Sequence, residues 1–114
     1  RGKGDAGVIT RLYFGVPKEA PPAGSVQGLE HALAAATGGF TAYAGTGVWQ
    51  DPTTLEYVEE LSYIYEIVHD GVYHPHGDVD PHWKAVREFA LAMKVLLKQP
   101  EVLMVHIQAE KEVL

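Results

Sequence analysis

No cysteine occurs in the 114 residues of the chain. Disulfides and thiolate metal sites are therefore excluded, and a reducing, cytoplasmic setting is expected. No apolar run approaches the roughly 20 residues that carry a helix across a bilayer, so no membrane partner is expected. Basic charge is scarce. Lys and Arg number 9 against 15 Asp and Glu, for a formal net charge of -6. Phosphate backbones are held by clustered Lys and Arg, and the only local basic bias is the N-terminal RGKG, so nucleic acid is not an expected partner. A P-loop, a dinucleotide fingerprint and a Ser-His-Asp order are all missing, and Gly45-Thr46-Gly47 is too short to cradle a phosphate. No cofactor is expected. No signal-peptide pattern is present, and because the first residue is Arg1 and not Met, an upstream segment is expected.

What is present fits one domain over residues 1–114, long enough to bury roughly two-thirds of its unfolded surface. The apolar fraction of 46% and charged fraction of 21% are those of an ordinary globular protein. Residues 1–7 are glycine-rich and read as a flexible tail. VITRLYFGV (8–16), β-branched and aromatic, reads as a first strand. Ser25 is placed to cap a helix over VQGLEHALAAAT, and Gly38 and Gly39 stop it. FTAYAGTGVWQ and LEYVEELSYIYEIVH then form a hairpin around the turn DPTT. Residues 70–80 read as a flexible loop. Asp80 caps a second helix with Pro81 at its first position, and Val86, Phe89, Ala90, Met93 and Leu97 make its apolar stripe. EVLMVHIQA is the last strand.

The order β-α-β-β-α-β predicts an α+β, ferredoxin-like fold: a four-stranded antiparallel sheet with two helices on one face. The other face is not clearly polar, since the strands alternate aliphatic and aromatic residues on both sides. Another copy of the same chain is the simplest cover.

The hairpin holds the residues best suited to chemistry. Gly45 and Gly47 mark either a bulge or a place where a ligand or neighbouring chain lies against bare backbone. Trp49 can pack a subunit contact, stack on a flat ring such as adenine, or do both. Glu59 and Glu60 are adjacent on a strand and point to opposite faces, so they form no paired-carboxylate site within one chain. Either both are solvated edge charges, or one stands in a cleft, where it could bind a hydroxyl or a cation or act as a base. Glu60 is favoured, because Ser62 and Ile64 on its face leave more room. His69, His74, His76 and His82, with Asp70, Asp78 and Asp80, look like a metal cluster, but HPH lacks a fixed scaffold and no metal site is expected. His106, mid-strand, reads as a satisfied core histidine, with Arg11 as a candidate neighbour.

RLYFGV, GGFT leading into GTGVW, EELSYIYEIV and KQPEVLMVHI together resemble the PII-like proteins over nearly the whole chain. That resemblance implies a homotrimer with ligands, often adenine nucleotides, in clefts between subunits lined by the second and third strands. Gly47-Val48-Trp49, about ten residues before Glu59-Glu60, further resembles the phage S-adenosylmethionine lyase family. It implies cleavage of S-adenosylmethionine to methylthioadenosine and homoserine lactone by a tyrosine and a glutamate of this region. Trp49 stands where the resemblance expects a tyrosine, which leaves Tyr63 or Tyr57 to supply a phenol. The implied site is Glu60, Glu59 and Tyr63 for catalysis, with Gly45, Thr46, Gly47, Trp49 and Tyr57 binding an adenosine-containing small molecule. The rival readings are a non-catalytic nucleotide sensor of the same fold, an oligomer with no small ligand, and a dimeric α+β barrel enzyme with its sheets face to face.

Overall fold

The computed structural model describes residues 5–69 and 80–111. The elements are β1 (Asp5–Gly15), α1 (Ser25–Thr37), β2 (Thr41–Gln50), β3 (Tyr57–His69), α2 (Pro81–Leu96) and β4 (Leu103–Lys111). All strand pairs are antiparallel and the sheet order is β2-β3-β1-β4. The fold is α+β and ferredoxin-like, as the element order predicts.

Alternation decides which side chains meet the helices. On β1, Val8, Thr10, Leu12 and Phe14 are buried, and across the register they meet His69, Ile67, Tyr65 and Tyr63 of β3. From α2 come Val86, Phe89, Ala90 and Met93, and from α1 Leu33, all buried against the same sheet face. Each fully buried side chain of this kind contributes about 1.5–3 kcal/mol relative to exposure. Phe14, Tyr65 and Phe89 form an edge-to-face group at the centre, with ring centroids 5.0 to 6.3 Å apart. The phenol of Tyr65 keeps its hydrogen bond by donating to Glu30 Oε2 of α1 at 2.7 Å. Burial first, and then Glu30, pushes that phenol's pKa up.

The helix ends follow local chemistry with one correction. Asp80 caps α2, its Oδ1 accepting from the backbone N–H of His82 (2.9 Å) and Trp83 (3.4 Å), with Pro81 at the first helical position. Ser25, expected to cap α1, is instead its first residue. The cap position is Gly24, left-handed at φ 79°, and the Ser25 hydroxyl donates to the Pro22 carbonyl. Gly38 ends α1 at φ 96°, which a residue with a Cβ adopts at a cost.

Residues 5–7, read from composition as tail, belong to β1 and pair with residues 109–111 of β4. Strand pairing overrides glycine's weak propensity there. Residues 1–4 and most of the 70–80 loop, including His74, His76, Asp70 and Asp78, lie outside the described residues.

Candidate functional site

The two helices cover β1 and the inner half of β3, but the β2–β3 hairpin runs on past them. Register places its side chains unambiguously: Gly45 opposes Ser62, Gly47 opposes Glu60, Val48 opposes Glu59 and Trp49 opposes Val58. The pairing runs without a skip from Thr41↔Glu66 to Gln50↔Tyr57, so no bulge explains the glycines. Neither takes a positive φ.

What each glycine leaves room for differs. A Cβ on Gly45 would stand 3.0 Å from Ile64 Cδ1, so a side chain there would press against Ile64. A Cβ on Gly47 would find nothing nearer than the Glu60 carbonyl oxygen at 4.0 Å. Packing within the chain does not require Gly47 to lack a side chain. The open backbone lies directly beside Glu60.

Gly45, Gly47, Trp49 and Glu60 share the sheet face that the helices do not cover. Trp49 and Glu60 are diagonal neighbours across the ladder, roughly 7–8 Å apart at the backbone, a span their side chains can close onto one ligand. Both are exposed, Trp49 at 44%. Thr46, Tyr57, Glu59 and Tyr63 lie on the opposite face of the hairpin. Within one chain, therefore, the eight residues singled out from sequence form two groups of four, back to back. Tyr63 borders a cavity of about 360 Å³ on the helix side, lined also by Val16, Pro17, Val26, Tyr65 and Met93.

Two polar constellations were not anticipated. The first lies further along the uncovered face. Arg11 Nε donates to Glu66 Oε2 at 2.9 Å, and the Tyr43 hydroxyl donates to the same oxygen at 3.3 Å. The hydrogen bond to Glu66, then its charge, holds the Arg11 pKa above its usual value; partial burial first, and then Glu66, raises that of Tyr43. Opposite charges on β1 and β3 were the available signal, but only register makes them neighbours. The second lies between sheet and α2. Thr10 Oγ1 is 3.1 Å from His69 Nε2 and 3.3 Å from His106 Nδ1, with Trp83 edge-on to both rings. His106 is the satisfied core histidine its mid-strand position suggests, but its partner is Thr10. Arg11 points to the other face. Among the described residues, no group of three or more His, Asp or Glu is arranged to hold a metal.

No family model matches the chain, and no curated protein matches it in sequence. Among solved structures, it is similar to a phage S-adenosylmethionine lyase in complex with S-methyl-5'-thioadenosine, at 14% identity and a TM-score of 0.60. The match covers 99% of this chain and 94% of the lyase. It establishes a shared fold over the whole chain. No helix of the described residues is long and apolar enough to cross a membrane.

Proposed function

We propose that the chain is a homotrimer that binds S-adenosylmethionine in clefts between subunits and cleaves it to methylthioadenosine and homoserine lactone. The observation that carries this reading is the placement of Trp49, Gly47 and Glu60 side by side on one exposed hairpin face, in a fold shared end to end with a lyase that holds methylthioadenosine. Trp49 stacks on the adenine, the bare backbone at Gly47 admits the ribose, and Glu60 pairs with the substrate ammonium or the ribose hydroxyls.

The chemistry asks little of the protein beyond positioning. The substrate's own carboxylate oxygen attacks its Cγ, the Cγ–S bond breaks, and the bonding pair stays on sulfur as neutral methylthioadenosine leaves. Carboxylate and sulfonium charges cancel in the lactone, so no proton has to move. A reaction that consumes opposite charges is helped by an apolar, water-poor site and by holding the chain in a cyclising shape. Aliphatic and aromatic side chains around Glu60 on the open face suit that need once a second copy covers them.

One observation favours the non-catalytic sensor as the second reading. Trp49 brings no phenol, and Tyr57 and Tyr63 stand on the far side of the hairpin from Glu60. A phenol at Glu60 then has to come from a neighbouring copy. Incubation with S-adenosylmethionine followed by chromatography separates the two: methylthioadenosine and homoserine lactone are expected, while saturable binding without products assigns the protein to the sensor class.

A further inference from the structure

The Arg11–Glu66–Tyr43 cluster stands near the middle of the uncovered sheet face, six residues along β3 from Glu60 and so roughly 20 Å from it at strand rise. That is too far for one small ligand to touch both. Most of the face around the cluster is apolar, with Ile9 and Tyr13 on β1, Ile64 and Val68 on β3, and Val105 and Ile107 on β4; Thr41, opposite Glu66, and Ser62 are its polar members. The four strands present roughly 700 Å² of plan area at ordinary strand rise and spacing, close to the ~800 Å² per partner of a stable protein interface.

Arg11 and Glu66 have side-chain exposures of 34% and 29%. Their pairing uses one guanidinium N–H and one carboxylate oxygen. The remaining guanidinium donors and Glu66 Oε1 have no partner among the described residues. Covering the face strips water from them, and each must then find a new partner. A partner with surplus charge of either sign would strand one member of the pair. A second copy of this chain brings an equal set of donors and acceptors at the same place.

We propose that this cluster is the polar key of a self-association interface built from the open sheet faces, in which Arg11 of one copy completes its hydrogen bonds on Glu66 of the next. The inference rests on the self-association reading above and adds what sets its register. An apolar sheet face alone tolerates slippage, whereas an ion pair in its centre is satisfied in one alignment.

Sedimentation measurements test it, with circular dichroism to confirm that each variant is folded. In a lone chain these side chains face solvent, so Glu66→Gln and Arg11→Met leave the core untouched. Wild type is expected to be associated at micromolar concentration. Each single variant should raise the dissociation constant at least about tenfold, the direction expected when one charge of a covered pair loses its partner. Tyr43→Phe should have a smaller effect of the same sign. The double variant Arg11→Met/Glu66→Met should associate again, but as a mixture of stoichiometries. Glu88→Gln, exposed on α2, should match wild type. A wild type that stays monomeric yet binds methylthioadenosine overturns the interface and the inter-subunit cleft, while leaving the ligand class intact. A wild-type oligomer that the single variants hold as tightly overturns the key alone.

Discussion

The opposite placement of Glu59 and Glu60 makes a sharp functional test. Glu60→Gln keeps the side chain's size and removes its charge on the face that carries Trp49 and Gly47. The substrate ammonium, at about 4 Å from the carboxylate, would lose roughly 1 kcal/mol if the site stays open to water and up to roughly 4 kcal/mol if a second copy excludes it. In rate at subsaturating substrate, that is from about fivefold to several hundredfold. Glu59 opposes Val48 and points the other way. With the sheet between, about 10 Å from the ligand, its charge contributes under ~0.4 kcal/mol in water before salt screening, less than a twofold effect. The assay is methylthioadenosine release from S-adenosylmethionine, followed by chromatography for wild type and both variants. Equal effects at the two positions, or a larger one at Glu59, would refute the assignment of the open face as the ligand side.

Trp49→Ala should weaken methylthioadenosine by roughly 1–3 kcal/mol in calorimetry, the usual scale for a stacked base, with the oligomer intact; dissociation without loss of intrinsic affinity would make Trp49 an interface residue. Gly47→Ala should fold with wild-type stability, since a Cβ there meets nothing closer than 4.0 Å, yet bind the same ligand more weakly. Asp80→Ala should cost about 1 kcal/mol in urea unfolding, because the carboxylate caps two backbone N–H groups of α2. Burial first, and then Arg87, holds the His106 ring's pKa below its ordinary value of 6.5, so the folded chain favours the neutral ring. Between the folded and unfolded values the unfolded chain binds more protons, and stability therefore rises with pH there. That contribution is complete above about pH 6.5 and is lost as pH falls through the folded value. The melting temperature should drop on acidification, and His106→Asn should show a smaller drop; an equal drop in both would rule out His106 as a source.

Periodicity carried most of the architecture. The stripe at Val86, Phe89, Ala90 and Met93, the Asp80-Pro81 start and the Gly38 stop are local signals, and the corresponding elements lie where those signals put them. Ser25 misled because Gly24 takes a left-handed conformation that a serine cap does not need. Asp5–Gly7 misled because composition says nothing of a partner strand about a hundred residues away.

Alternation along β3 was enough to send Glu59 and Glu60 to opposite faces, because side-chain direction in a strand is a covalent consequence of the pleat. Which of those faces the helices would cover, and that Trp49, Gly45 and Gly47 share one face with Glu60, depended on the register of β2 against β3. Register is set by turn geometry and packing across the sheet and not by either strand alone. The same holds for Arg11 beside Glu66 and Tyr43, and for Thr10 between His69 and His106: each is 55 or more residues from a partner in sequence and within 3.3 Å in space. Element order and face alternation were thus determined by the sequence by itself, through local backbone preference. The co-facial placement of Trp49, Gly47 and Glu60, the crowding at Gly45 and the open backbone at Gly47, and both polar clusters were decided only by tertiary structure, because long-range pairing alone brings those groups into contact.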